Sequence, residues 1–533
     1  MTCPNCGAQN DPGFRFCKAC GTELTQAAPQ PQQPQYQVPQ QVPYQAPVAV
    51  APKVPGKSPF DALIRKIKSV NFGSLLKDPK KLAIPAAAVA AVLILVILIS
   101  IIGSAGKGAY LPKMTHFAVE VDGEYMLLRD DEILEEGMGP VDIRDTSMDG
   151  SVDVYKCEDE LFVVRNGQSI HITDDFVARW TILSADGSAL LVLDNDSVLT
   201  SYSTKNGEGT EIAEDVVWFC VSPDGKSVVY LVNDDGDRIA YLHKGKDSIE
   251  LGEALLPITV SNGAKVIYCI DEEKRSLCAV DAKGNTEKIA SDVDDDWFFM
   301  NEDHTQMIFW ADGKWYATVK GGEKIKLTSD VDFYPLPYED APVYSSGLVF
   351  TYPTGDLRGS FVELDDSVAY INRDWELEKV AKNVEFAMVS ADGKTLTWLR
   401  ENGKLYKATT AKLHDPIELA EDVWGFAATP DGSAVYYINE DEELIWQKGT
   451  KEGKRIADDV DYVFTTHDGY CFFESDDELF SVKDGGKKVR IADDLYDIYI
   501  TGSVFYLWTD YEDGEFNFYA CTKGNKFKEL YTY

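Results

Sequence analysis

Short runs of alternating apolar and polar residues fill the chain after Gly108. The run Lys226-Ser-Val-Val-Tyr-Leu231 is one example, and it is rich in the β-branched and aromatic residues that strands favour. No stretch in this part of the sequence has the apolar period of about 3.6 residues that an amphipathic helix requires. The pattern therefore predicts an all-β domain over residues 110–533.

A boundary signature recurs along this domain. It consists of an aliphatic residue, a small residue, one or two polar residues, and then Val or another apolar residue. Its copies start every 35 to 40 residues, except for one interval of 53. A regular period of this length is typical of a repeat fold. The copies begin at Ile172, Ile212, Leu251, Ile289, Leu327, Val380, Leu419, Ile456 and Ile491.

A Ser/Thr-x-Asp-Gly turn follows the boundary signature in most units. Asp-Gly supplies the positive φ that a tight hairpin requires. An alternating strand follows each turn, and the unit length leaves room for four short strands. The turns begin at Ser184, Ser222, Ser390, Thr429 and Thr466, and Ser261-Asn-Gly263 is a shorter version.

Four short strands in about 40 residues is the size of one propeller blade. The pattern Ser-x-Asp-Gly-Lys…Tyr, as in residues 222–230, resembles the TolB-type and WD-like propeller repeats over roughly residues 140–533, although the Trp-Asp dipeptide of true WD repeats is absent. The resemblance implies a β-propeller of about 8 to 10 four-stranded blades, in one large ring or two smaller rings. An array of β-sandwiches is the alternative. The fold alone implies no activity.

The unit that starts at Leu327 is longer than its neighbours. Its extra region, around residues 332–360, contains four tyrosines among prolines. Loops that exceed a repeat commonly carry function, so we predict that these side chains bind a ligand such as a sugar or a peptide. Ordinary strand tyrosines are the alternative. The four are Tyr334, Tyr338, Tyr344 and Tyr352.

Residues 82–106 form a run of 25 residues without a charged side chain. A helix rises about 1.5 Å per residue, so this run can cross an apolar layer about 30 Å thick. The residues before it are rich in Lys and Arg, which favours a cytoplasmic N-terminus. We predict an uncleaved signal anchor in the cell membrane, with the C-terminal domain outside. A buried helix of a soluble protein is the alternative.

Two segments precede this run. Residues 26–57 are rich in Pro and Gln, a composition typical of an extended spacer, with docking of a Pro-recognition domain as the alternative. Residues 58–81 place apolar side chains at i, i+3, i+4 and i+7 from Phe60, with basic residues between them. This pattern predicts an amphipathic helix on anionic membrane lipid. A helix that binds a partner is the alternative.

The N-terminal residues 1–25 contain two Cys-x-x-Cys-Gly turns. Four thiolates at this spacing suit a closed structural zinc site, and so short a segment needs the metal to fold. The segment resembles the short zinc ribbon at the N-terminus of many bacterial membrane proteins, over residues 3–24. An iron site, disulfides and a redox pair are the alternatives for the cysteines, and nucleic-acid binding by the ribbon is a further alternative. The predicted Zn²⁺ ligands are Cys3, Cys6, Cys17 and Cys20.

Charge divides the chain at the apolar run. Residues 1–103 contain ten Lys/Arg and four Asp/Glu, a net of +6, and the whole chain has a net charge of −38, which leaves −44 for residues 104–533. Nucleic-acid binding needs clustered Lys and Arg, so the outer domain is not expected to bind nucleic acid. Its acidity favours solubility, cation binding or a basic partner.

Cys269 and Cys278 lie symmetrically about a predicted hairpin turn. In an oxidising exterior, two cysteines that face each other across neighbouring strands can form a disulfide. We therefore predict this pair as a candidate disulfide. Buried free cysteines are the alternative, because free Cys is a common core residue.

The sequence contains no Gly-x-Ser-x-Gly and no His-Glu-x-x-His motif, and its six His residues are scattered. We therefore predict a binding or interaction protein whose outer propeller recognises a protein or an envelope glycan. The ribbon would contact a cytoplasmic protein. The alternative is a hydrolase or lyase acting on cell-envelope polysaccharide, and a purely structural role in an envelope assembly is a third hypothesis.

The zinc prediction is tested by metal analysis of the full-length protein in detergent. We expect one zinc ion per chain, lost in Cys6→Ser, because the site needs all four thiolates to stay closed. Cys157→Ser, which changes a cysteine of the outer domain, is the control and retains the metal. Zinc that survives Cys6→Ser contradicts the four-thiolate assignment.

Overall fold

The computed structural model describes residues 116–532, apart from gaps at 122–123, 130–131, 175–177, 235, 337–343, 347–348, 477, 493–494, 502–503, 510–516 and 522–523. The predicted ribbon, linker, juxtamembrane segment and transmembrane run lie outside these residues and stay predictions. Among the described residues, no helix is long and apolar enough to cross a membrane.

Eleven β-sheets make up the described residues, numbered here in chain order. Sheet 1 contains β1 (His116–Val121), β2 (Glu124–Arg129) and β3 (Glu132–Met138). Sheet 2 contains β4 (Val141–Thr146), β5 (Val152–Cys157), β6 (Glu160–Arg165) and β7 (Gln168–Thr173). Sheet 3 contains β8 (Ala178–Leu183), β9 (Ala189–Asp194), β10 (Leu199–Ser203) and β11 (Gly209–Ala213).

Sheets 4 to 6 continue the pattern. Sheet 4 contains β12 (Val216–Val221), β13 (Ser227–Asp234), β14 (Asp237–Lys244) and β15 (Asp247–Glu253). Sheet 5 contains β16 (Leu255–Val260), a 3-10 turn at Asn262–Ala264, β17 (Ile267–Asp271), β18 (Ser276–Val280) and β19 (Thr286–Ser291). Sheet 6 begins with β20 (Val293–Met300), β21 (Gln306–Ala311), β22 (Lys314–Val319) and β23 (Ile325–Thr328).

Sheet 7 is interrupted after its first strand, β24 (Tyr334–Leu336). A hairpin of β25 (Tyr344–Ser346) and β26 (Val349–Thr351) follows, and it joins sheet 6. The chain then returns to sheet 7 with β27 (Phe361–Leu364), β28 (Ser367–Ile371) and β29 (Leu377–Lys382). Sheet 8 contains β30 (Val384–Val389), β31 (Thr395–Arg400), β32 (Leu405–Thr409) and β33 (Ile417–Ala420).

The last three sheets again have four consecutive strands. Sheet 9 contains β34 (Val423–Ala428), β35 (Ala434–Asn439), β36 (Leu444–Lys448) and β37 (Lys454–Ala457). Sheet 10 contains β38 (Val460–Thr465), β39 (Tyr470–Ser475), β40 (Glu478–Lys483) and β41 (Val489–Ala492). Sheet 11 contains β42 (Leu495–Thr501), β43 (Val504–Thr509), β44 (Asn517–Cys521) and β45 (Lys528–Thr532).

Each sheet buries a face against the next sheet. Val154 of sheet 2 shares a buried cluster with Leu190 of sheet 3, and Leu405 of sheet 8 shares one with Val435 of sheet 9. Buried clusters of this kind join every consecutive pair from sheet 1 to sheet 11. The apolar core therefore runs continuously from sheet to sheet.

The last sheet packs against the first. Met126 and Leu128 of sheet 1 share a buried cluster with Phe518 and Ala520 of sheet 11. The sheets therefore close into one ring, which is a β-propeller. First strands of successive sheets lie against one another, as β12 and β16 do, whereas last strands such as β15 are largely exposed. The first strands are thus the innermost.

The Ser/Thr-x-Asp-Gly motif closes the turn between the first and second strands. The Ser184 hydroxyl donates to Asp186 Oδ1 at 2.8 Å and accepts the backbone N–H of Ala189 at 3.1 Å. Gly187 has φ +66°, which costs a residue without a Cβ little. The N–H of Asp186 donates to the carbonyl of Pro223 in the next turn at 2.9 Å. The motif therefore shapes its own turn and links it to the next sheet.

The boundary signature marks the step from the last strand of one sheet to the first strand of the next. The residue before the apolar position has positive φ at Asp215, Asn383 and Asp422, a conformation that Asp and Asn tolerate better than most residues. The following Val216 and Val423 are then buried in the core. The repeat predicted from the sequence is thus confirmed.

The number of sheets, eleven, is above the 8 to 10 blades predicted from the sequence. Sheet 1 was missed because it has three strands and neither signature. No blade precedes it among the described residues, so its first strand does not begin from a boundary turn.

Truncating a side chain at the closing interface should destabilise the whole domain. Leu128 is fully buried between sheets 1 and 11, so Leu128→Ala should lower the free energy of unfolding by about 2–5 kcal/mol. Urea unfolding of the full-length protein measures this. Ile249→Ala, at a side chain that is 45% exposed on the outermost strand of sheet 4, is the control and should stay within about 0.5 kcal/mol of the parent protein. A change that small for Leu128→Ala would contradict ring closure.

Candidate functional site

The boundary between sheets 6 and 7 departs from the regular turn. The signature there ends at Val331, which is 73% exposed, whereas the equivalent Val216 is fully buried. Phe333 enters the core in its place, and β24 starts only at Tyr334. The junction therefore leaves a space between the two first strands that a regular boundary fills with its apolar residue.

A pocket of about 220 Å³ occupies this space. Most of its lining is aromatic and comes from sheet 6, from the irregular junction and from the start of β24. Two carboxylates complete it, one on β20 and one on the junction. The lining residues are Asp294, Trp297, Phe299, Trp310, Trp315, Val331, Asp332, Phe333 and Tyr334.

The buried rings hold the floor of the pocket in place. Trp315 donates its indole N–H to the carbonyl of Val331 at 3.1 Å, so the exposed junction residue is tied to sheet 6. Phe333 stacks on Trp315 with ring centroids 5.1 Å apart, and Phe299 packs against both rings. These contacts fix the orientation of the floor before any ligand binds.

Trp297 and Tyr334 form the open side of the pocket. Each is 45% exposed. Their rings are nearly perpendicular, at 79°, with centroids 6.1 Å apart. A ligand in the pocket would therefore meet two exposed aromatic walls that are set at a right angle.

The hairpin inserted in sheet 7 packs against the Trp297 ring. β26 pairs in parallel with the end of β20, with Phe298 opposite Val349 and Met300 opposite Thr351. This places Phe350 against the Trp297 ring, stacked at 5.2 Å and 16°. Because β26 extends sheet 6 beyond its innermost strand, the hairpin projects toward the ring axis beside the pocket.

His304 pins this hairpin to sheets 5 and 6. Its ring lies between two hydroxyls, with Nδ1 2.6 Å from Thr259 Oγ1 and Nε2 2.7 Å from Thr351 Oγ1. His304 takes the place of the turn glycine in the sequence Asn301-Glu-Asp-His304, and its φ is +56°. Burial lowers the pKa of its imidazole to about 3, so the ring is neutral at physiological pH.

Of the four predicted tyrosines, one is placed in the pocket. Tyr334 lines the pocket. Tyr352 packs against Phe299, with ring centroids 6.0 Å apart, and burial raises the pKa of the Tyr352 hydroxyl. Tyr344 lies in β25, and its side chain is outside the described set. Tyr338 also lies outside the described residues. The binding role of all four stays a prediction.

The tryptophans of the pocket were not predicted from the sequence, because the predicted binding site contained only tyrosines of the insertion. A signal for Trp297 was present, because aromatic residues recur near the start of first strands. Trp180 and Trp218 hold similar places in sheets 3 and 4 and meet edge to face at 4.4 Å. The second signal was the missing glycine at His304.

Cys269 and Cys278, the candidate disulfide, lie directly opposite each other between β17 and β18. Both are buried, both thiols are free, and burial raises the pKa of each. The disulfide itself stays a prediction. The four predicted zinc ligands lie outside the described residues.

One group of side chains among the described residues has the spacing of metal ligands. It consists of Glu160, His171 and Asp174, whose ligand atoms lie within 4.8 Å of one another. All three are exposed, and His171 Nε2 already lies 2.9 Å from Asp174 Oδ1. The group is remote in sequence from the pocket and contributes nothing to it.

A family profile described as "Domain of unknown function (DUF7577)" matches residues 1–25. Among curated proteins there is no match. The family match covers the predicted ribbon and none of the sheets.

Three solved structures are similar to this chain. A TolB-type protein from Agrobacterium tumefaciens is 15% identical, with 37% of this chain and 83% of that chain covered and a TM-score of 0.26. A eukaryotic initiation factor is 11% identical, with 65% and 97% covered and a TM-score of 0.36. An oligogalacturonate lyase in complex with manganese is 11% identical, with 64% and 97% covered and a TM-score of 0.29. These scores are low, so the fold assignment rests on the packing described above.

The neutral, buried state of His304 predicts a pH effect on stability. Below about pH 6.5 the unfolded chain takes up a proton at His304 that the folded chain does not accept until about pH 3. The stabilisation is therefore fully present above about pH 6.5 and falls as the pH is lowered, by at most about 1.4 kcal/mol per pH unit.

Urea unfolding at about pH 7.5 and about pH 5 tests this prediction. The stability advantage of the parent protein over His304→Gln should shrink at the lower pH. His414→Gln, at an exposed histidine, is the control and should show no such change. An advantage that is equal at both pH values would contradict the prediction, because it would mean that folded His304 takes up a proton at about pH 5 as the unfolded chain does.

Proposed function

We propose that this chain is a membrane-anchored binding protein whose propeller captures a ligand outside the membrane, at the pocket between sheets 6 and 7. The observation that carries this proposal is the pair of exposed rings, Trp297 and Tyr334, above a floor of fixed aromatic rings. Exposed aromatic side chains that are held in place lose little conformational entropy when a ligand binds.

The site is built at the expense of regular blade packing. Val331 stays in water, and an additional hairpin is bound to the innermost strand of sheet 6. Departures from a regular repeat at one place commonly mark a functional site. In this proposal the zinc ribbon and the basic juxtamembrane segment remain on the cytoplasmic side, where the ribbon offers a contact for a protein partner.

Binding is favoured over catalysis by the chemistry of the lining. The titratable side chains among its described lining residues are Asp294, Asp332 and Tyr334, and both carboxylates are exposed. A polysaccharide hydrolase or lyase needs an acid and a base whose pKa values are set apart by their surroundings. Exposed carboxylates serve better as partners for ligand hydroxyls or for a positive charge.

The proposal is tested by saturation-transfer NMR on the full-length protein in nanodiscs. The panel contains N-acetylglucosamine, galactose and their oligomers, short peptides and choline. We expect at least one compound to give a signal that Trp297→Ala abolishes, because that ring forms half of the open side. Ile249→Ala, on the outermost strand of sheet 4, is the control and should leave the signal unchanged.

Absence of any signal that depends on Trp297 would overturn the proposal. Cleavage of a panel oligosaccharide that is lost in Asp294→Asn or Asp332→Asn would instead establish the enzyme alternative. Chromatography of the panel after incubation with the protein measures that outcome.

A further inference from the structure

The pocket combines aromatic faces with negative charge. Among the described residues that line it, six of nine are aromatic and two are carboxylates, and none of the nine is Lys, Arg or His. The surrounding domain is strongly acidic, with a net charge of −44 over residues 104–533 when the +6 of residues 1–103 is taken from the total of −38. An anionic ligand is therefore disfavoured, and a cation is attracted from a distance.

The arrangement of the rings selects a compact ligand. Trp297 and Tyr334 meet at 79°, and Trp310 and Trp315 meet at 66° with centroids 5.3 Å apart. A sugar ring stacks one of its C–H faces on an aromatic ring, and that face cannot stack on two perpendicular rings at once. A rounded tetrahedral group can touch both, and the negative π face of Trp is the strongest aromatic partner for a cation.

The size of the pocket limits the ligand further. Its volume of about 220 Å³ is below the range of about 300–1,000 Å³ that is typical for drug-sized ligands. A pocket of this size suits a small group. Asp294 on β20 and Asp332 at the junction belong to the same lining, so a positive charge bound among the rings shares the pocket with two carboxylates.

We infer that this pocket binds a small alkylammonium cation, with choline as the simplest representative. The inference rests on the proposed function, since it names the ligand class of the same pocket. The rings supply cation–π contacts and cover the apolar methyl groups, while Asp294 and Asp332 balance the charge. Recognition of quaternary ammonium by several aromatic rings is a known use of this chemistry.

Isothermal titration of the full-length protein in a nonionic detergent tests the inference. The probes are choline chloride and 3,3-dimethyl-1-butanol, which has the same shape without the charge. We expect choline to bind at least about tenfold more tightly than the neutral compound. We also expect the substitution Trp297→Leu to lower the affinity for choline by about tenfold or more. An unchanged thermal unfolding midpoint for Trp297→Leu shows that the variant is folded.

The carboxylates provide the second arm of the test. Asp332→Asn should lower the affinity for choline several-fold and leave the affinity for the neutral compound unchanged. Asp415→Asn, at an exposed carboxylate outside the pocket, is the matched control. It should change neither the affinity for choline nor the affinity for the neutral compound. Added salt should weaken choline in the parent protein because exposed charges are screened.

Equal affinities for choline and its neutral analogue would overturn the inference, as would the absence of choline binding. If a sugar or peptide binds in a Trp297-dependent manner and choline does not, this inference fails and the proposed function stands. If no compound binds in a Trp297-dependent manner, both fail.

Discussion

A sheet in this chain has two apolar faces, and both must be covered. In β35, Val435 and Tyr437 pack toward sheet 8, while Tyr436 and Ile438, which alternate with them, pack toward sheet 10. A single sheet would leave both faces in water, so each sheet depends on two neighbours. An open row would leave an apolar face at each end, and the buried cluster that contains Leu128 of sheet 1 and Phe518 of sheet 11 covers both of these faces. Ring closure is the constraint on which the rest of the structure depends.

The same constraint explains where a site can form. At four other boundaries the apolar residue is buried, which fills the space between first strands: Val216, Leu255, Val423 and Val460. Between sheets 6 and 7 the burial is transferred from Val331 to Phe333, and the additional hairpin covers the inner edge of β20. His304, with hydroxyl partners on two sides, holds that hairpin. The local irregularity is therefore tolerated because other contacts restore the packing.

The repeat could be predicted from the sequence because the boundary signature and the Ser/Thr-x-Asp-Gly motif each shape a turn through their own residues. Gly187 of the Asp-Gly pair and Asp215 before Val216 adopt the positive φ that their turns require. Other features depend on contacts between residues far apart in sequence, which a local pattern does not contain. Sheet 1 contains neither motif. The pocket brings Trp297 of sheet 6 against Tyr334 of sheet 7. Of the candidate site, the sequence therefore predicted Tyr334 and the importance of the insertion, while it missed the tryptophans.

A cryo-EM map of the full-length protein, viewed along the ring axis, tests this account most directly. It should show eleven sheets, with sheet 11 packed on sheet 1. It should also show the Trp297 ring between Phe350 and Tyr334. Two smaller rings, or a gap between the first and last sheets, would contradict the account, because the apolar faces of sheets 1 and 11 would then need a different cover.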